Sequence, residues 1–131
     1  MREIEFRGKL TNNRGWAYGN LSIKPHNECA IITPDNTPLG RYGKVEIETV
    51  GQYTGLKDQN GTKVFEGDIL EFEFESIGKQ KAIVYYSDRY ASFCLNPVDN
   101  FQYALIRDGR VIGNIYDNPE LLIYRRNNKG V

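Results

Sequence analysis

The chain has 131 residues, the size of one ordinary domain, and its 17 basic residues balance 17 acidic ones. Because the net charge is zero, no overall electrostatic field attracts nucleic acid or an anionic membrane, which argues against a histone-like role. Any cationic surface must therefore be a local patch. The chain's charged first residues, the absence of an apolar run of about 20 residues and the lack of any CxxC pair predict a soluble protein in a reducing compartment without a thiolate zinc site.

Alternation of apolar and polar residues with a period of two is the main pattern of the N-terminal part, and it predicts β-strands. Ile4 and Phe6 alternate with charged residues, Trp16 and Tyr18 share one face, and residues 11–15 have the composition of a turn. The sequence therefore predicts an opening β-hairpin. Residues 29–32 and 44–50 predict two more strands, and the proline-containing stretch 34–43 between them predicts a loop or an internal boundary.

The second half contains three strand patterns, at residues 69–75, 81–86 and 90–95, with short connections between them. Leu70, Phe72 and Phe74 face one way, and glutamates face the other. Such a meander tends to curl, so we predict a small SH3-like barrel. A further strand is expected at residues 111–116, and residues 101–106 fit either a strand or a short helix.

The predicted fold class is thus mainly β, an antiparallel meander curling into a barrel, preceded by an N-terminal hairpin region and containing at most one or two short helical turns. One such turn is expected to begin at Pro119. We expect one compact domain over residues 1–131. The pattern also allows two lobes, an N-terminal β region (1–49) and a barrel-like region (50–124), followed by a frayed tail (125–131).

Two segments carry a recognisable motif. Residues 50–70 include Gln52-Tyr53-Thr54-Gly55-Leu56, Asn60-Gly61 and Glu66-Gly67-Asp68, and residues 111–122 include Gly113-Asn114 and Asn118-Pro119. Both segments resemble the signature of the YopX family. The start of the chain, residues 2–7, is also similar to this family. The resemblance implies a protein encoded by a phage or prophage of a low-GC Gram-positive host, largely β in fold. The residues at the start of the chain, which have no signal-peptide pattern, separately predict that it acts in the cytoplasm of that host. The resemblance implies no activity, because the family has no established catalytic residues.

The motif residues are interpreted as structural, because glycines and apolar anchors usually serve the fold whereas exposed polar positions carry binding. Asn60-Gly61 predicts a tight turn, and Asp68 is expected to accept a hydrogen bond from its own backbone turn. Residues 8–45 match no motif of the family, so a role specific to this chain could lie there.

No set of residues predicts catalysis, a cofactor or a metal site. His26 and Cys29 could form a nucleophile and base only if residues three apart met in the right geometry, and a solvated loop histidine is the preferred interpretation. Glu71, Glu73 and Glu75 share one strand face, which leaves a carboxylate-based hydrolase as the less favoured alternative to an ordinary solvated face. We therefore expect a protein that is not an enzyme.

Aromatic residues make up 12% of the chain, and surplus tyrosine and tryptophan on a β surface often mark an interface. The favoured function is a protein-interaction or self-associating module, with a second copy or a phage or host protein as partner. A single-stranded nucleic-acid-binding small barrel is the alternative. The candidate contact residues for either partner cluster around one predicted hairpin: Lys79, Lys81, Tyr85, Tyr86, Arg89 and Tyr90.

Overall fold

The structure is a computed structural model that describes residues 2–34, 41–97 and 103–122. These residues form ten strands, listed in chain order: β1 Phe6–Lys9, β2 Trp16–Lys24, β3 Glu28–Thr33, β4 Arg41–Val45, β5 Gly51–Lys57, β6 Lys63–Phe65, β7 Asp68–Phe74, β8 Gly78–Ser87, β9 Ser92–Asn96 and β10 Arg110–Asn114. One α-helix, α1 Tyr103–Asp108, and three 3₁₀ turns accompany them, at Pro25–Asn27, Ile47–Thr49 and Pro119–Leu122.

Two antiparallel sheets contain all these strands. The first has the strand order β4-β3-β2-β1-β5-β6, and the second has the order β10-β7-β8-β9. The mainly β fold, the opening hairpin β1–β2 and the meander β7-β8-β9 are therefore confirmed. The helical segments, four in the described residues, exceed the one or two turns expected from sequence.

The second sheet follows the alternation of its sequence closely. Ile69 to Phe74 pair in continuous register with Ile83 to Gly78, which puts Leu70 and Phe72 on one face. That face forms the larger core, which consists of Val64, Leu70, Phe72, Ala82, Val84, Leu95 and Ile106. Each of the larger side chains contributes about 1.5–3 kcal/mol through burial.

The predicted SH3-like barrel over residues 50–124 needs correction, because the described residues contain no closed barrel. The second sheet stays open, and β6 and α1 cover its apolar face: Val64 and Ile106 both belong to its core. A sheet that is covered in this way can bury its apolar face without closing on itself.

Curling occurs instead in the first sheet. The end of β4 returns to β1 through the Leu10–Val45 bridge. There the Thr11 N–H donates to the Lys44 carbonyl (3.0 Å), and the Glu46 N–H donates to the Lys9 carbonyl (2.9 Å). A glycine is needed at position 8, since a Cβ there would lie 2.8 Å from the Val45 side chain. The curl encloses a second core around Cys29, Ile31 and Val45.

The first sheet continues past residue 50, the predicted boundary between the two lobes, and the division into lobes stays a prediction. Phe6 of β1 pairs with Gln52 of β5, so the first sheet continues to Phe65 at the end of β6. Strand β4 also ends at Val45, where residues 44–50 had predicted a longer strand. The Thr49 hydroxyl accepts from the Lys9 N–H (2.8 Å) and donates to the Glu46 carbonyl (2.7 Å), which stabilises a turn in its place. The predicted tail, 125–131, lies outside the described residues.

A buried ion pair joins the two sheets. Arg7 of β1 lies 2.8 Å from the carboxylate of Asp68 at the start of β7, and their side chains are only 6% and 3% exposed. The Arg7 guanidinium also lies over the rings of Trp16 (4.8 Å) and Phe65 (5.0 Å). Burial raises the pKa of Asp68, although the Arg7 charge acts in the opposite direction. Arg7 also donates to the Glu66 carbonyl (3.2 Å), so it links β1 to the segment that leads into β7.

Candidate functional site

A cleft of about 420 Å³ opens between strand β5 of the first sheet and the β8–β9 hairpin of the second. We call it the inter-sheet cleft. Its lining residues are Arg2, Gln52, Thr54, Glu66, Tyr86, Ala91, Ser92 and Phe93. Its volume falls at the small end of the range of ligand pockets.

One wall of the cleft is built from residues of the family motif. Gln52 and Thr54 lie on the same face of β5, and the Gln52 N–H donates to Oε1 of Glu66 (2.8 Å). The Thr54 hydroxyl donates to the Val64 carbonyl (2.9 Å). Gly51 lets the Glu66 backbone approach, because a Cβ at position 51 would lie 2.7 Å from the Glu66 carbonyl oxygen. This wall is therefore held rigidly by hydrogen bonds.

The opposite wall is aromatic. Tyr86 and Phe93 pair across β8 and β9, and their rings meet edge to face with centroids 5.4 Å apart. Tyr86 is 45% exposed. Ala91, in the connecting turn, has φ +51°, a conformation that costs an L-residue free energy and that recurs at functional sites. The hairpin therefore holds two rings at the mouth of a polar cleft.

The chemistry of the cleft is that of a binding site with mixed polarity. It combines one guanidinium (Arg2), one carboxylate (Glu66), one amide (Gln52) and the aromatic pair. Within the described residues, the side chains of Arg2 and Gln52 have no hydrogen-bond partner. Such groups can donate to and accept from a ligand while its apolar part contacts the rings.

The groups considered for catalysis lie elsewhere. His26 is exposed in the first 3₁₀ turn, and Cys29 is buried at 2% exposure. Glu71 forms an ion pair with Arg110, and Glu73 lies opposite Lys79 in the strand register. Among the residues described, no three His, Cys, Asp or Glu side chains group in a way that could hold a metal ion.

The predicted contact surface is divided by the strand alternation. Lys79, Lys81 and Tyr85 lie on one face of β8, and Tyr86 lies on the other. The two lysines pair in register with Glu73 and Glu71, and Lys81 Nζ donates to the Leu121 carbonyl (2.9 Å). Arg89 and Tyr90 lie beside the cleft on the hairpin turn, where the guanidinium stands 5.5 Å from the Tyr90 ring. Of the six residues, only Tyr86 lines the cleft.

The other motif residues in β5 to β7 make contacts within the fold. Tyr53 is buried and its ring packs against Phe65 (5.6 Å), while Leu56 packs against the larger core. Gly55, Gly61 and Gly67 all have positive φ. Asp58, which sequence reasoning had not singled out, accepts from the N–H groups of Asn60 and Thr62 (both 2.9 Å) and of Val111 (2.8 Å). It therefore joins the Asn60-Gly61 turn to β10.

The C-terminal motif forms a hydrogen-bonded turn. Asn114 Oδ1 accepts from the N–H groups of Tyr116 and Asp117 (both 2.9 Å), and Asn118 Oδ1 accepts from the Asn114 N–H (3.2 Å). A Cβ at Gly113 would lie 2.5 Å from Asn118 Oδ1, and Pro119 begins the last 3₁₀ turn as expected. These contacts favour the structural interpretation of the motif, which stays a prediction.

Sequence reasoning missed half of the cleft. The pairing of Tyr86 with Phe93 could have been found, because a hairpin turning at residues 87–91 brings these two positions together. Nothing in the sequence indicated that Arg2 lines the cleft, because about 90 residues separate it from Ser92 and Phe93 and no pattern links them.

The described residues define a class of protein: two antiparallel sheets joined by a buried ion pair, with a mixed polar and aromatic cleft where they meet. The chain belongs to the YopX family, because the model of that family, described as YopX protein, matches residues 5–123. This confirms the resemblance drawn from the motifs.

Among solved structures, the chain is similar to the crystal structure of protein EF1440 from Enterococcus faecalis. The two share 29% sequence identity with a TM-score of 0.66, over 94% of this chain and 100% of that one. No curated protein matches the chain. In the part of the chain that the structure describes, none of the helices has the length and hydropathy needed to cross a membrane.

Proposed function

We propose that this YopX-family chain is a non-catalytic module that binds a segment of another polypeptide in the inter-sheet cleft. It would act as an accessory protein of a phage or prophage, as the family resemblance implies, in the cytoplasm of the bacterial host. The partner is a phage or host protein, or a second copy of this chain.

The observation that carries the proposal is the pairing of two unlike walls. The motif wall is rigid and leaves the Gln52 amide free among the described residues, while the opposite wall offers the half-exposed Tyr86 ring. A polypeptide supplies both backbone groups for the first and an apolar side chain for the second. Tyrosine and arginine are also the residues most enriched where interfaces gain their affinity.

The composition of the cleft supports binding over catalysis. Acid and base catalysis on a glycosidic bond needs two carboxyl groups at a set separation, and among the described residues Glu66 is the single carboxylate lining the cleft. One of its oxygens already accepts from the Gln52 N–H. The hydrolase alternative thus has less support than a binding function.

A selection from a library of random peptides on the immobilised protein tests this proposal. Peptides that bind should lose affinity about tenfold or more for Tyr86→Ala, because a central aromatic anchor contributes at least 1.4 kcal/mol. The matched control is Tyr42→Ala, which removes an equally exposed tyrosine (53%) on the other sheet and should leave affinity unchanged.

Light scattering on the purified protein identifies the partner class. A dimer that Tyr86→Ala converts to a monomer would assign the cleft to a second copy, and a monomer that binds selected peptides would assign it to another protein. The proposal fails if the protein is monomeric and no peptide is enriched, or if enriched peptides bind Tyr86→Ala as tightly as the original chain.

A further inference from the structure

A second surface lies on the first sheet, on the side of β2, β3 and β4 that faces away from the smaller core. We call it the β2–β4 face. The register places Asn20 opposite Ile32 and Ile32 opposite Tyr42, so these three side chains share one face. The same alternation adds Tyr18, Ser22, Lys24, Glu28, Ala30 and Lys44 to this face, and Glu28 lies directly opposite Lys24.

Two tyrosines and two lysines give this face its character. Tyr42 is 53% exposed and Tyr18 is 41% exposed. Lys24 Nζ stands 5.2 Å from the Tyr42 ring, and Lys44 follows Tyr42 on the same side of β4. Aromatic rings interleaved with cations on an open sheet surface are the arrangement on which successive bases of a single strand stack.

The neutral total charge conceals a basic N-terminal region. Residues 8–45 contain five basic and two acidic residues, a formal charge of +3, and the remainder of the chain therefore carries −3. One of the two acids, Glu28, lies 3.5 Å from Lys44, with both side chains about half exposed, so this pair is weak. The glutamates at positions 46 and 48 bound the face beyond the end of β4.

Charge also decides which occupant fits. Two lysines and one glutamate give this face a formal charge of +1, so a second copy docked on it about a two-fold axis would bring two surfaces of the same sign together, which disfavours the contact. A single-stranded nucleic acid supplies phosphates for the lysines and unstacked bases for the tyrosines, whereas the bases of a duplex are stacked on one another.

We propose that the β2–β4 face binds single-stranded nucleic acid. This site is separate from the inter-sheet cleft, so it goes beyond the proposed function and does not depend on it. With two or three phosphates neutralised, log K should fall with log salt concentration with a slope of about −1.4 to −2. Binding is therefore weak and strongly dependent on salt.

Fluorescence anisotropy with a labelled oligothymidylate, measured over a series of salt concentrations, tests this site. Tyr42→Ala should weaken binding about tenfold, the effect of losing one stacked base, while Tyr42→Phe keeps the ring and should retain affinity. The double variant Lys24→Ala with Lys44→Ala should weaken binding and lower the salt slope. Tyr42 is exposed, so circular dichroism should show an unchanged fold in its variants.

Two controls locate the binding. The double variant Lys79→Ala with Lys81→Ala removes two cations from the second sheet, and Tyr86→Ala removes the cleft aromatic; neither should change oligothymidylate affinity. The proposal is overturned if the oligonucleotide does not bind at low salt, if only the Lys79 and Lys81 variant weakens binding, or if polyglutamate competes equally while Tyr42→Ala has no effect.

Discussion

The two sheets bury their apolar faces in different ways. The first curls until β4 meets β1 at the Leu10–Val45 bridge, and Gly8 allows this tight approach. The second stays open, and Val64 and Ile106 from neighbouring elements cover Leu70 and Phe72. Two sheets with a similar alternation of apolar and polar residues therefore differ in curvature. The difference depends on where glycines lie and on whether other elements cover the apolar face of the sheet.

The Arg7–Asp68 ion pair is the contact whose loss should lower the stability of the fold most, since Arg7 belongs to the first sheet and Asp68 to the second. Asp68→Asn leaves the Arg7 charge buried without its carboxylate, which should lower the free energy of unfolding by about 3–5 kcal/mol. Urea unfolding followed by the fluorescence of Trp16, whose ring lies against Arg7, measures this loss.

The double variant Arg7→Met with Asp68→Leu is the control for that measurement. Removing both charges together should lower the free energy of unfolding less than removing one, because no buried charge is then left unpaired. A loss below about 1 kcal/mol in Asp68→Asn would show that the pair does not join the sheets as described.

Gly8→Ala tests the curl of the first sheet. The new Cβ would lie 2.8 Å from the Val45 side chain, so we expect a loss of about 1–3 kcal/mol from overpacking. Val45→Ala in the same chain should recover part of the lost free energy of unfolding, so the effects of the two substitutions in urea unfolding should not add.

The matched change in the open sheet is Gly78→Ala, where φ is +80° and nothing lies within 4 Å. Gly78→Ala should lower the free energy of unfolding by about 1 kcal/mol through backbone strain alone. Val45→Ala should leave that effect unchanged.

The smallest expected effect concerns the contact between the C-terminal turn and the opening hairpin. Asp117 accepts from Lys9 Nζ and from Trp16 Nε1, both at 2.8 Å, and these hydrogen bonds lower the pKa of Asp117. A carboxylate whose folded pKa lies below its unfolded value stabilises the fold above the unfolded value, about 3.9, and this stabilisation disappears as the pH falls through the folded value.

Unfolding measured between about pH 5 and pH 2 should therefore show a steeper loss of stability in the original chain than in Asp117→Asn. The difference should stay below about 1 kcal/mol, since the ion pair is about one-third exposed. Parallel pH profiles for the two proteins would contradict the assigned role of Asp117.

The sequence was sufficient for the meander of the second sheet, whose strands are joined by short connections. Alternation between Ile69 and Leu95 predicted the meander, and Phe72 and Val84 are buried as it requires (4% and 1% exposed). The curl, the pairing of β5 with β1 and the Arg7–Asp68 contact join residues far apart in the chain, and local periodicity carries no information on such contacts. Half of the inter-sheet cleft was missed for the same reason, because Arg2 and Phe93 belong to segments far apart in the chain.

The most direct test of the binding account is an NMR titration of the isotopically labelled protein with a peptide from the selection. If the inter-sheet cleft is the binding site, the backbone amides of Gln52, Glu66 and Phe93 should shift together, while those of Lys24 and Tyr42 on the β2–β4 face stay in place. Shifts confined to the β2–β4 face, or scattered over both sheets without the cleft residues, would contradict it.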